Sequence, residues 1–201
     1  MASFLTLCDR SPEIVKAWRQ YFSVDTGVRI VNQNILTLDV DALAVPANAF
    51  GFTDGGVDMA ISREIFDWGL QEKLRAVIER EFHGEMLVGQ ALIMPTGSRR
   101  FRYVVVAPTM RVPGDVSDSL NAYLAMRGIL LATEAHNRAN KDERIRALAI
   151  PGLCTGVGKM PPARAAYQMW MAYRTVILGD REWSTALEKQ IEHDQKLRAM
   201  L

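Results

Sequence analysis

Residues 44–61 run Ala44-Val45-Pro46-Ala47-Asn48-Ala49-Phe50-Gly51-Phe52-Thr53-Asp54-Gly55-Gly56-Val57-Asp58-Met59-Ala60-Ile61. The apolar run 42–45 has the pattern of a buried strand, and Pro46 is expected to end it inside a sheet. A loop with three glycines follows, after which Val57, Ala60, Ile61 and Ile65 recur at helical spacing. The stretch is therefore a strand–loop–helix unit, richest in glycine where the helix begins. The N–H groups at a helix start lack partners and suit phosphate, and Gly55-Gly56 lets a ligand come close to the backbone. Asn48 and Asp58 flank the loop with more polar side chains than a turn requires.

The flanking sequence repeats the alternation. Upstream, a short apolar run at 4–7 is followed by Ser11-Pro12, a helix start with a capping hydroxyl and proline at the first helical position. Ile14, Ala17, Trp18 and Tyr21 mark one face of that helix, Gly27 breaks it, and a second strand is expected around Val28 and Ile30. Downstream, the spacing predicts a helix over 68–82 closed by His83-Gly84. Two apolar runs, 91–94 and 103–107, are separated by Gly97-Ser98-Arg99-Arg100 and suit an antiparallel hairpin. A long helix capped by Ser117 or Asp118 should run to about Asn140, before a buried strand at 147–150. A second glycine loop, 152–159, leads into a helix opened by Pro161-Pro162, and a last helix carries Trp183, Leu187 and Ile191. The expected architecture is a single α/β domain over 1–201, with helices on both faces of a mixed, mostly parallel sheet of about six strands and segment 180–201 as a C-terminal helix packed on it. Both glycine loops leave the carboxyl end of a strand and enter a helix, which is where such folds bind ligands. Two phosphate-cradling loops at one end of one sheet point to a diphosphate.

Composition narrows the function. Hydrophobic residues make up 49% and charged residues 23% of the 201, as in ordinary globular proteins. A net charge of +1 leaves no footprint for nucleic acid or an anionic membrane, and no apolar run reaches the roughly 18 residues of a bilayer span. Two cysteines, Cys8 and Cys154, lie far apart and suit a reducing, cytoplasmic setting. The three histidines show no metal-binding spacing, and no cofactor or metal is called for. The second loop fails the P-loop pattern, because Gly152 to Gly158 is one residue too long and Met160 replaces the metal-binding hydroxyl. It fails the dinucleotide fingerprint too, since Gly156-Val157-Gly158 supplies only its first half. The Arg99, Arg100 and Arg102 cluster is accounted for as edge protection on an exposed hairpin, and Cys154 as a bystander thiol without a histidine. Asp58 also suits the helix dipole, by about 0.3–1 kcal/mol, and Asn48 also suits a turn.

Asn48, the run Gly55-Gly56-Val57-Asp58-Met59-Ala60-Ile61 and Thr155-Gly156-Val157, in that order, resemble the macrodomain family, over about 28–176. The wording is most similar to a bacterial and phage branch of it, and to fungal ADP-ribose-1''-phosphate phosphatases. The resemblance implies a three-layer α/β/α sandwich that binds ADP-ribose. It places Asn34 and Ile35 at the adenine, although the family's glycine–aspartate pair is Gln33-Asn34 here. Gly55, Gly56 and Val57 would line one side of the diphosphate, and Thr155, Gly156, Val157 and Gly158 the other. Asn48 would sit near the distal ribose, while Val45 replaces the family's first asparagine. Gly158 stands where an aromatic is usual, implying an open site, and Lys159 adds a cation facing the phosphates. Asp58 aligns with the aspartate that handles the attacking water in hydrolytic members. The implied activity is hydrolysis at the distal ribose, as an ADP-ribosyl glycohydrolase or ADP-ribose-1''-phosphate phosphatase. The alternative is a non-catalytic reader of ADP-ribose or a related nucleotide. The implied partner is ADP-ribose or an ADP-ribosylated substrate, with no membrane and with nucleic acid only as a modified substrate.

Overall fold

The computed structural model describes residues 4–22, 27–53 and 56–199. Six strands form one sheet in the order β2-β1-β6-β3-β5-β4. These are β1 (Leu5–Asp9), β2 (Arg29–Asn32), β3 (Ala42–Asn48), β4 (Leu92–Pro95), β5 (Tyr103–Met110) and β6 (Leu148–Ile150). Neighbours are parallel from β2 through β5, and only β4 runs antiparallel, against β5. The sheet is thus mixed and mostly parallel, with six strands, as the sequence suggests.

Side chains alternate across it. Ala42, Ala44, Tyr103, Val105, Leu148 and Ile150 pack on one face with α1 (Pro12–Tyr21), α4 (Asn121–Ala139) and α5 (Pro162–Val176). Leu43, Val45, Val104, Val106 and Ala149 face the other way, onto α2 (Gly56–Phe66) and α3 (Leu70–Phe82). Both faces are covered, so the central strands are apolar throughout instead of alternating with polar residues.

Several local expectations change. β3 continues through Pro46 to Asn48. Its pairing with β6 stops at Leu43, so beyond that point β3 has β5 as its only neighbour and a residue without an N–H is tolerated. β5 likewise runs through Pro108 to Met110. The helix expected over 68–82 begins at Leu70, because Asp67 and Trp68 are left-handed (φ 47° and 67°) and terminate α2. The Trp68 N–H donates to the Ser62 carbonyl, six residues back, in the manner of a helix C-cap. α4 starts at Asn121, not 117 or 118, and the Ser119 hydroxyl accepts from the Asn121 N–H. Asp118 pairs with Arg164 instead. Ser11 precedes α1 without a side-chain cap.

At the C-terminus, Trp183 lies in a 3-10 turn, Glu182–Thr185, ahead of α6 (Leu187–Ala199). α6 packs through His193 and Leu197, whereas the Leu187 and Ile191 side chains face solvent. The Trp183 ring stacks on His193 at 4.4 Å, and the Leu197 carbonyl accepts from Gln168 of α5. Among the described residues, no helix is long and apolar enough to cross a membrane.

Candidate functional site

The carboxyl ends of the five parallel strands form the floor of a cleft of about 1160 Å³. Asn34 follows β2, Asp9 ends β1 with Arg10 after it, Gly152 follows β6, Asn48 ends β3 and Met110 ends β5, and all line it. Four inter-strand steps of about 4.8 Å give the floor a length of roughly 19 Å, enough for an extended dinucleotide-sized ligand. Three helix N-termini open onto the same cleft: α1 at Ser11, α2 at Gly56–Asp58 and α5 at Pro162. Their partial positive charges converge on one site for anions.

The first loop connects β3 to α2. The Asn48 side chain is buried and organises it: Oδ1 accepts from the N–H groups of Phe50 (3.0 Å) and Phe52 (3.3 Å), and Nδ2 donates to the Phe52 carbonyl (3.2 Å). The Thr53 N–H donates to Gln71 Oε1 of α3 at 3.0 Å. Gly56 is left-handed (φ 64°) and opens α2, so Val57 and Asp58 lie in the first turn, where they line the cleft. Gly55 lies outside the described residues.

The second loop connects β6 to α5 and is tied to β1. Asp9 Oδ2 accepts from the Gly152 N–H (2.9 Å), while Oδ1 accepts from the Ser11 N–H (2.9 Å). Thr155, Gly156, Val157 and Gly158 all border the cleft. A Cβ on Gly156 would meet nothing within 4 Å, so this turn is free to let a ligand pass close to the backbone. Gly158 differs from the expectation of an open site, because a Cβ there would lie 2.6 Å from the Cys154 carbonyl oxygen and 2.8 Å from Val116 Cγ2. The absence of a side chain at 158 serves close packing, not access. Lys159 does not line the cleft; its ammonium is 3.9 Å from Asp115 Oδ2, in solvent.

At the β2 end, Asn34 and Ile35 line the cleft. Asn34 Oδ1 caps the 3-10 turn Ile35–Thr37 by accepting from the Leu36 N–H at 3.1 Å. Cys154 and Cys8 both border the cleft as buried thiols, and burial pushes their pKa values up to about 12 and about 11. No described histidine lines the cleft, and the Cys154 thiol donates to the Thr109 carbonyl. No described cluster of side chains has the make-up of a metal site.

Asp9, Arg10 and Ser11 went unnoticed in the sequence, although a strand followed by Asp-Arg-Ser-Pro is a third strand–turn–helix unit. Parallel pairing of Leu7 with Ile150 is what brings that turn beside the second loop.

Comparison with known proteins agrees with this geometry. The profile of the family described as Macro domain matches residues 44–169. A protein of Aquifex aeolicus with no assigned function is 33% identical over 142 residues, covering 71% of this chain and 78% of that one. An O-acetyl-ADP-ribose deacetylase of Salmonella typhimurium is 32% identical over 151 residues, covering 74% and 76%. Among solved structures, Thermosipho africanus DarTG in complex with ADP-ribose superposes with a TM-score of 0.57 at 15% identity, over 71% of this chain and 37% of that one.

Proposed function

Because the chain belongs to the macrodomain family, we propose that it binds ADP-ribose in the cleft and hydrolyses an ADP-ribose derivative at the distal ribose. The observation that carries this reading is Asp58, a half-buried carboxylate in the first turn of α2, bordering the cleft beside the Gly56 and Val57 backbone. The diphosphate would lie between the α2 N-terminus and the Gly156 turn, with Arg10 and the α1 N-terminus behind it. Such anchoring holds the reacting end in place for attack. The deacetylase relative makes O-acetyl-ADP-ribose the substrate to try first. Water adds to the acyl carbon, the ester C–O bond breaks, acetate leaves and the ribose oxygen takes a proton. Asp58 would accept the proton from that water. The same placement serves an ADP-ribosyl bond or a 1''-phosphate. We further infer a cytoplasmic setting, which two unpaired buried thiols suit.

One observation favours a reader instead. Asn48 uses three hydrogen bonds to hold its own loop, leaving a single amide hydrogen for a ribose or a water.

The test is calorimetry with ADP-ribose, followed by turnover of O-acetyl-ADP-ribose by the wild type and Asp58→Ala. The enzyme reading expects binding within about threefold of wild type in the variant and turnover reduced about 100-fold or more. Binding without turnover in the wild type means a reader. Absence of ADP-ribose binding at millimolar ligand overturns both.

A further inference from the structure

Away from the cleft, the C-terminal segment 180–199 is held to the domain through few side chains. Within α6 only His193 and Leu197 are buried, while Leu187 and Ile191 face solvent. His193 is 8% exposed and lies between two aromatic rings. Trp183 stacks on it at 4.4 Å with 14° between the planes, and Tyr123 of α4 meets it edge-on at 5.6 Å. The Trp183 indole donates to Thr175 Oγ1 of α5 at 3.2 Å, so the imidazole joins the turn Glu182–Thr185 and α6 to the body of the domain. Its Nε2 is buried and has no hydrogen-bond partner among the described residues.

A neutral imidazole with its proton on Nδ1 leaves that nitrogen as a bare acceptor. An imidazolium carries a proton on both nitrogens, and here it would bury a charge and an N–H without an acceptor. The charged groups around the ring are already engaged. Asp194 and Asp180 face it, but Asp194 is held by Arg198 at 2.8 and 3.3 Å and Asp180 by Arg174 of α5. Lys196, which also faces it, is paired with Glu192 at 2.6 Å, and Glu182 of the turn with Lys189 at 3.1 Å. On α4, the Tyr123 hydroxyl is taken up by Thr175 and Arg127. Burial, the largest influence, holds the His193 pKa below the usual histidine value; Asp194 and Asp180 act against it, Lys196 and Arg174 with it. The Trp183 face attracts a cation but offers Nε2 no acceptor.

We infer that His193 is an acid-sensitive latch: neutral, it docks segment 180–199 on α4 and α5, and protonated, it lets the segment go. The inference does not depend on which ligand the cleft holds. The imidazole of a released segment takes up its proton near pH 6.5, and that of the docked segment at lower pH. Docking is therefore strongest above about pH 6.5 and weakens as the pH falls below it, by up to about tenfold per pH unit. Release parts the Leu197 carbonyl from Gln168, whose Nε2 keeps its bond to the Ser119 carbonyl (2.9 Å), so the contact between α4 and α5 survives.

The experiment is an NMR titration of the full chain from about pH 8 to about pH 4.5, across the histidine range, for the wild type, His193→Phe and His83→Asn. It follows the His193 ring, the indole N–H groups of Trp183 and Trp18, and the amides of α6. A helix of 13 residues is marginal on its own, so release moves the α6 amides to coil positions. The expected result is a His193 midpoint below about 6.5, with Trp183 and the α6 amides shifting at that same midpoint. Trp18, whose indole donates to Met169 in the core, stays in place. His83→Asn should match the wild type, and His193→Phe, which keeps a ring against Trp183, should show no shift. A His193 midpoint at or above about 6.5, α6 amides that do not follow it, or the same transition in His193→Phe overturns the latch. Movement of Trp18 together with Trp183 overturns it too, as general acid unfolding. Should His193→Phe fail to fold, the wild-type titration decides alone.

Discussion

The two glycine loops face each other across one cleft but are built differently. The first is held by side chains: Asn48 clamps Phe50 and Phe52, and Gln71 reaches across from α3 to Thr53. Each carries one partly exposed apolar side chain, Phe52 (38%) in the first and Val157 (58%) in the second. The second is held by the Asp9 carboxylate, by backbone contacts and by burial. Met160 N–H donates to the Cys154 carbonyl, Val116 N–H donates to the Gly158 carbonyl, and Leu153, Cys154 and Met160 belong to the main core. Cys154 and Lys159 are left-handed (φ 65° and 51°) within this tight turn. The second loop thus lies within the main core, whereas the first packs Gly51 closely against Leu74 and Ile78 of α3. Asp58, the proposed proton acceptor, follows the first loop in the first turn of α2.

Three results would break or sharpen that contrast. The largest expected effect is Gly158→Ala, whose methyl group meets the Cys154 carbonyl at 2.6 Å. Overpacking of this kind should cost about 3 kcal/mol, read as a lowered denaturation midpoint. Gly156→Ala, two residues away with nothing within 4 Å, should shift stability by less than about 0.5 kcal/mol and act on ligand affinity instead. Equal stability losses in the two variants would mean that the second loop is not held by close packing at 158.

Asn48→Ala comes next, at about 2 kcal/mol for the lost hydrogen bonds. Amide hydrogen exchange should accelerate at Phe50 and Phe52 and stay unchanged at Gly152 and Met160. Faster exchange in both loops would show that they form one unit.

The smallest effect concerns the thiols. With pKa values raised by burial to about 11 and 12, Cys8 and Cys154 are protonated at pH 8. Both should react with a disulfide reagent far more slowly than a free thiol until the chain is unfolded. Reaction at Cys154 should quicken in Gly158→Ala and not in Asn48→Ala. A fast-reacting Cys154 in the wild type would mean that the second loop opens on its own.

Much of this was legible in the sequence because its causes are local. The strand–loop–helix order follows from apolar periodicity and glycine placement, and both faces of the sheet are visible in the uninterrupted apolar runs at 42–45 and 103–107. Asn48, Gly56, Val57 and Asp58 were placed on the cleft by short motifs, as were Thr155, Gly156 and Val157. Gly158 lines the cleft, but the close contact that excludes a side chain there involves Val116, which lies in a distant segment. Lys159 was aimed at the phosphates, but the left-handed backbone at that position turns it towards Asp115.

What the sequence alone determined is the set of elements, the layered fold and the two loops, because helical and strand periods and turn residues act over a few neighbours. Only the tertiary structure decided that Asp9 anchors the second loop, that Pro46 lies within β3, and that Arg100 separates from Arg99 and Arg102 to border the cleft. Each depends on strand pairing or packing between segments far apart in the chain: β1 beside β6, β6 ending early along β3, and Phe101 of the hairpin loop buried in the cluster that holds Ile35. Local sequence fixes which backbone shapes are available, and long-range burial selects which side chains meet.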